Sequence, residues 1–191
     1  MTAALLSILF LTAQAEPVEY KLQPGGSNRL TLEVEKTGLM KGKKHIFEFP
    51  QFQGKITLDL QNPSNSKVDL RIDAASITCK DTWLGPKDLK KVLDYAQTDM
   101  LNVKRYPEMR FVSTKITAKG NDSFDVEGTL NIRGNGKTVT LNVTLDQPSL
   151  RVSGKAVFKL TAYGMKPPSA GLVAIGTKDD VTALFQVLAT K

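Results

Sequence analysis

Apolar and polar side chains alternate with a period of two through most of this chain, and this alternation is its most constraining feature. At residues 30–34, 56–60 and 68–74 every second side chain is apolar, while its neighbours are mostly polar or charged. Such alternation is typical of a β-strand that buries one face and exposes the other. The sequence predicts eight strands, with a short ninth at 45–49 as an option; the remaining five cover 109–116, 124–132, 139–145, 156–160 and 181–188.

Short, turn-forming segments rich in Gly, Pro, Asn and Ser separate these strands, for example at 61–66, 119–122 and 147–149. Strands joined by such short connections run antiparallel to their neighbours. Closing the sheet on itself would remove its exposed edges. We therefore predict an all-β fold, either an antiparallel barrel or a sandwich.

One segment, 86–101, has helical rather than strand periodicity. Pro86 suits the first position of a helix, and apolar residues then recur at helical spacing, with charged residues between them. The apolar residues are Leu89, Val92, Leu93, Ala96 and Met100. An apolar stripe needs a partner surface, so we expect this single helix to cover an open end or side of the β-structure.

Composition narrows the classes of function. The chain has 191 residues with one Cys and one His, which excludes a disulfide framework within the chain and a His-rich metal site. Its 26 Lys and Arg against 19 Asp and Glu give a net charge of +7, which attracts anionic partners and allows weak contact with an anionic membrane surface. No basic face with interleaved aromatic residues is visible, so we expect no nucleic-acid partner. The oligomeric state is not determined by these features.

The first fifteen residues differ from the rest. Residues 1–15 carry no charged side chain, contain an apolar run, and end in Ala13-Gln14-Ala15, which fits a small-x-small cleavage site. The run is too short to span a bilayer. We interpret 1–15 as a signal peptide cleaved after Ala15, and expect 16–191 to form a single domain that is periplasmic or secreted and not transmembrane.

A search for catalytic groups gives little. His45 follows a basic turn and Cys79 has no partner cysteine, so both are more simply explained as structural residues. The turn at 134–138 lacks the spacing of a phosphate-binding loop, and a hairpin explains it better. We expect no catalytic residue, no metal site and no cofactor.

Four segments carry a resemblance to a known family. Residues 99–114, DMLNVKRYPEMRFVST, resemble the central signature of the YceI-like family. The segments GTLNIRGNGKTVTL at 128–141, GKITLD at 54–59 and IDAASI at 72–77 resemble its hairpin and two of its strands. The order of these segments also agrees, and together with the intervening strands the similarity covers nearly all of 16–191.

The resemblance implies an eight-stranded, lipocalin-like antiparallel barrel of the cell envelope that holds a polyisoprenoid or quinone-type chain in its lumen without catalysis. One five-carbon isoprene unit would contribute roughly 4 kcal/mol of hydrophobic stabilisation. The alternative is an enzyme acting on an envelope lipid or polymer through His45 or Cys79. From alternation alone, the inward residues could form either a filled core or a cavity wall; the resemblance favours a wall made of Leu32, Val34, Phe47, Phe49, Leu58, Leu70, Ile72, Val92, Leu93, Met109, Phe111, Phe124, Val126, Phe158 and Phe185.

Overall fold

The computed structural model describes residues 16–170 and 175–191; the segment 1–15, interpreted above as a signal peptide, lies outside them. The described residues form one antiparallel sheet and one α-helix. In chain order the elements are β1 (Val18–Leu22), β2 (Arg29–Gly38), β3 (Lys44–Glu48), β4 (Phe52–Leu58), β5 (Lys67–Asp73), β6 (Thr78–Cys79), α1 (Pro86–Tyr95), β7 (Glu108–Ala118), β8 (Ser123–Ile132), β9 (Asn135–Asp146), β10 (Arg151–Lys159), β11 (Ser169–Ala170) and β12 (Ile175–Leu188).

The sheet is curled into a half-barrel, which confirms the predicted fold class. Its strand order is β1-β4-β5-β7-β8-β9-β10-β12-β2-β3-β6, and β11 pairs with β12 beside this path. The two ends of the path are not neighbours among the described strands. An isolated bridge between Lys21 and Thr190 ties β1 back to the residues that follow β12.

The predicted number of strands is wrong: the described residues form twelve strands rather than eight. The optional strand at 45–49 is present as β3, and the others that alternation missed are β1, β6 and β11. The two-residue strands β6 and β11 are too short to show a period. They exist because a distant segment pairs with them, as Phe47 does with Cys79.

A β-bulge explains why the inward face changes phase along β7. Met109 and Phe111 are buried while Val112 is exposed, so odd-numbered residues point inward at the start of the strand. The pairing with β8 then shifts between Ser113 and Lys115. An extra residue in one strand moves the following side chains to the opposite face, and Ile116 is accordingly buried.

The helix lies where the sequence predicts it, although it ends earlier as an α-helix. Pro86 occupies its first turn after Gly85, and a π-helical turn, Ala96–Met100, continues it. No residue of α1 is buried, whereas Ala96 in the following turn is. Helix α1 contacts β6. No helix in the part of the chain that the structure describes is long and apolar enough to cross a membrane.

Candidate functional site

The concave side of the sheet and the helix enclose a cavity of about 590 Å³. This volume lies in the range of pockets that bind small organic ligands. Aliphatic and aromatic side chains from β1 to β5, β7 to β10, β12 and the helical segment form almost the entire wall. The cavity therefore offers a long apolar surface with few hydrogen-bonding groups.

The structure brings together nearly all the side chains that the sequence predicted for the lumen. Those that line the cavity are Leu32, Val34, Phe47, Phe49, Leu58, Leu70, Ile72, Val92, Met109, Phe111, Phe124, Val126, Phe158 and Phe185. Several of them, including Leu32, Leu70 and Phe185, are only partly buried although they point inward. Side chains of a filled core would be fully buried, so their remaining accessible surface faces an internal space.

Leu93 is the exception, and its predicted place in the lumen is wrong. It is not part of the wall, although its neighbour Val92 is. Successive residues of an α-helix point about 100° apart, so the face that presents Val92 and Ala96 to the cavity turns Leu93 to one side. There it packs against the adjoining hydrophobic core.

Glycines on inward positions make room for two aromatic rings of the wall. A Cβ at Gly128 would lie 2.5 Å from Cζ of Phe111 on the neighbouring strand. A Cβ at Gly154 would lie 2.7 Å from Cζ of Phe185. Both rings therefore lie against the sheet rather than across the cavity, which keeps the lumen open.

The helical segment forms one boundary of the cavity. Val92, Ala96 and Met100 face it, as helical spacing requires, and Lys91 and Tyr95 line it while remaining exposed to solvent. Wall residues that are also exposed mark places where the cavity approaches the surface. Helix α1 thus lies as a cover over one such place.

A second approach to the surface lies at the end of β4, where Leu60 is exposed and also lines the cavity. The adjacent Asp59 accepts hydrogen bonds from the backbone N–H groups of Asn62 and Gln61 and from the side chain of Asn65. These bonds, with that of Asn62 contributing most, hold the pKa of Asp59 below its usual value. Because groups within the loop already donate hydrogen bonds to both oxygens of its carboxylate, we assign Asp59 a structural role.

A polar cluster that the sequence did not predict as a unit interrupts the apolar wall. His45, expected in or beside a basic turn, lies on β3 and is buried; its Nδ1 donates to Oδ2 of Asp81 at 2.5 Å. Oδ1 of Asp81 accepts from the backbone N–H of Ile46 at 2.7 Å. The indole of Trp83 lies beside the imidazole, with ring centroids 5.3 Å apart. Lys36, which also lines the cavity, is brought to His45 by the pairing of β2 with β3, and Asp81 by the pairing of β6 with β3. The sequence around each residue gave no indication of this cluster.

Cys79 also belongs to this region, since β6 pairs with β3. Burial raises the pKa of its thiol to about 11, and the nearby Asp81 carboxylate acts in the same direction. A catalytic cysteine needs a lowered pKa, because the thiolate is the nucleophile. The surroundings of Cys79 therefore deactivate it.

Within residues 16–170 and 175–191, no group of three or more His, Cys, Asp or Glu side chains is arranged to hold a metal ion. The chemistry of the described site is that of a mostly apolar container with a polar patch at Lys36 and His45 in its wall.

Solved structures share this architecture. Burkholderia cenocepacia BcnA superposes with a TM-score of 0.68 at 24% identity, over 84% of this chain and 96% of BcnA. A domain from Saccharophagus degradans, described as a polyisoprenoid binding domain implicated in plant cell wall breakdown, gives a TM-score of 0.61 at 17% identity, over 90% and 97% of the two chains. At these identities the likeness establishes the fold.

Sequence relatives establish the family. A UPF0312 protein of Pseudomonas putida (strain W619) is 31% identical over 176 residues, which are 87% of this chain and 86% of the relative. Protein YceI of Salmonella arizonae is 33% identical over 144 residues, 74% of this chain and 69% of its own. The family model described as the YceI-like domain matches residues 20–189. With the predicted signature segments inside that range, this chain belongs to the YceI-like family.

Proposed function

We propose that this protein binds and carries a long apolar lipid, a polyisoprenoid or quinone-type chain, inside its sheet, and that it does so in the cell envelope without catalysing a reaction. The observation that carries the proposal is the almost wholly apolar cavity of about 590 Å³. Side chains on opposite walls of an apolar cavity of this size do not pack against each other, and an apolar guest would supply those contacts. The description of the Saccharophagus degradans neighbour as polyisoprenoid-binding supports the choice of guest.

Two features support an envelope location and contact with an anionic membrane surface. The segment 1–15 has the composition of an export signal. The turn between β2 and β3 presents Leu39, which is 83% exposed, together with the exposed Lys41 and Lys43. An apolar side chain flanked by ammonium groups suits an anionic bilayer surface.

The alternative, an enzyme using His45 or Cys79, finds less support in the geometry. The imidazole of His45 is oriented by Asp81 as in many catalytic pairs. However, the neighbouring thiol has a raised pKa, and no hydrogen bond joins Cys79 to His45 among the described residues. The cluster is better suited to contact a ligand than to attack one.

Filling the cavity tests the proposal. Ala183 of β12 lines the cavity, whereas Val157 of β10 lies nearby on the outer face and is exposed. We expect Ala183→Phe to weaken binding of a polyprenol to delipidated protein by about tenfold or more, because the new ring occupies the guest's space. Val157→Phe serves as the matched control and should bind as the wild type does.

Ala183→Leu is a smaller filling variant in case Ala183→Phe does not fold. A weaker but clear loss of binding by this variant would also support the proposal. If the folded filling variants bind the polyprenol as tightly as the wild type, the lipid does not occupy this cavity and the proposal fails.

A further inference from the structure

The inner face of β2 and β3 carries two nitrogen-bearing side chains, Lys36 and His45, in a mostly apolar wall. Val34 pairs with His45, so Lys36, two residues further along β2, points to the same face as His45. The backbone N–H of Lys36 donates to the carbonyl of Lys43 at 2.9 Å, which extends the ladder to this position. Both Lys36 and His45 line the cavity. Residues related in this diagonal way on one face are close enough for long side chains to act together.

Asp81 orients the imidazole of His45 through one ring nitrogen and leaves the other without a bond to Asp81. Its two oxygens accept from His45 Nδ1 and from the backbone N–H of Ile46, and its side chain is fully buried. Because a carboxylate accepts hydrogen bonds and does not donate them, Nδ1 carries the hydrogen of that bond. Nε2 is therefore the ring nitrogen available to a bound molecule.

Lys36 lacks a counter-ion of its own among the described residues. The two glutamates of β2 lie on the other face and pair with other lysines, Glu33 with Lys44 and Glu35 with Lys178. The carboxylate that acts electrostatically on Lys36 is Asp81, which His45 already engages. Residues 1–15 and 171–174 contain no acidic side chain that could serve instead.

An ammonium group at the wall of an apolar cavity is unfavourable unless an opposite charge joins it. Burial lowers the pKa of Lys36, because removing the charged ammonium from water disfavours it relative to the neutral amine. A neutral guest would leave that cost in place, whereas an anionic group would remove it and gain charge-assisted hydrogen bonds. His45 lines the cavity on the same face as Lys36, so its Nε2 is a second contact atom for such a group.

We propose that the cavity binds a lipid whose head group is anionic, a carboxylate or a phosphate, and that Lys36 and His45 recognise this head group while the apolar chain lies along the sheet. The inference rests on the proposed function and specifies the chemical class of its ligand. It makes Lys36 a specificity-determining residue.

Four probes with the same farnesyl chain test the head group: farnesyl phosphate, farnesoic acid, farnesol and the hydrocarbon farnesene. Binding to delipidated protein can be followed by calorimetry and by the fluorescence of Trp83, the one tryptophan of the chain. We expect one or both anionic probes to bind about tenfold or more tightly than farnesol, as a charge-assisted hydrogen bond would produce. Comparison of the phosphate with the acid then identifies which anion the site prefers.

The variant Lys36→Met keeps an apolar stem of similar length and removes the charge. We expect it to abolish the preference for anionic probes, so that farnesyl phosphate and farnesoic acid bind no more tightly than farnesol. Lys41 is an exposed lysine on the nearby turn and does not line the cavity. Lys41→Met is therefore the matched control and should keep the preference for anionic probes. In the wild type, the imidazole resonances of His45, the one histidine, should shift more with farnesyl phosphate than with farnesol.

The two proposals fail in distinguishable ways. Equal affinity for farnesol and both anionic probes, with no effect of Lys36→Met, would overturn the head-group inference and leave lipid binding intact. Absence of binding by all four probes would instead overturn the proposed function itself.

Discussion

Phe111 shows which residues of the central strand β7 point into the cavity. It is 3% exposed and lines the cavity, whereas the next residue, Val112, is 36% exposed on the outer face. The alternation in the sequence predicted this placement. The ring also lies against Gly128, so its position is fixed by backbone contact on the neighbouring strand.

Replacing Phe111 with Asp should destabilise the fold by about 4 kcal/mol or more, because the change removes a buried ring and places a carboxylate in an apolar interior. Val112→Asp, one residue along, should cost less than about 1 kcal/mol. Urea unfolding of both variants measures the difference. A larger loss for Val112→Asp would show that the register of β7 is shifted by one residue.

The thiol of Cys79 should react slowly with alkylating reagents. With a pKa of about 11, roughly a thousandth of the thiol is ionised at pH 8. We expect iodoacetamide to modify the native protein at least about tenfold more slowly than the same protein unfolded in urea, where the pKa returns to its ordinary value. The rate should rise about tenfold for each pH unit and level off only above about pH 11. Rapid modification at neutral pH would indicate an activated thiol and favour an enzyme.

At the scale of elements, sequence reasoning succeeded where a single segment carries its own periodicity. The strands β2, β5, β8 and β9 and the helix α1 were recognisable for this reason. The short strand β6 was not, because its pairing with β3 depends on a segment far away in the chain. This pairing brings Asp81 to His45, and the pairing of β2 with β3 brings Lys36 there, so no single segment carries a pattern that indicates the cluster.

Helix α1 offers a matched pair for testing its role as a cover. Val92 lines the cavity and Leu93 does not, although both are partly buried and pack against the core. Val92→Ser and Leu93→Ser should each cost about 1–2 kcal/mol of stability, since each exposes a similar apolar contact. Val92→Ser should in addition weaken retention of a bound polyprenol.

Thermal unfolding and lipid content of the two serine variants are to be measured side by side. If both variants retain lipid equally well, the helix stabilises the core without contacting the guest. If Leu93→Ser loses more lipid, the orientation of the helix over the cavity is different from the one described.

At the scale of the whole molecule, the cavity results from the curvature of the sheet, and alternation alone could not establish it. An alternating strand has the same pattern whether its inner face meets other side chains or a bound ligand. The distance between opposite walls of the sheet determines whether a cavity forms. The inward glycines Gly54, Gly128 and Gly154 let neighbouring strands and rings pack closely without filling the space between the walls. The expectation of a cavity came from the resemblance to the YceI-like family, because the alternation of apolar and polar residues does not distinguish a cavity from a filled core.

Closure of the curled sheet depends on its C-terminal residues. Thr190 bridges Lys21, and the buried Ala189 lines the cavity while its N–H donates to the carbonyl of Leu150. Deleting Ala189, Thr190 and Lys191 should lower the melting temperature and speed the loss of bound lipid, because β1 loses this connection. Deleting the exposed Lys191 alone is the control and should change neither quantity. Equal behaviour of the two truncations would show that the bridge does not hold the sheet closed.

Native mass spectrometry of the protein, purified without detergent from a host that exports it, tests the central claim most directly. We expect a complex heavier than the bare chain by the mass of one apolar lipid, which is released on collisional activation and recovered by organic extraction. Ala183→Phe prepared in the same way should carry less of that lipid. A wild-type protein that has the mass of the bare chain, and that takes up no polyprenol when one is supplied, would contradict the account.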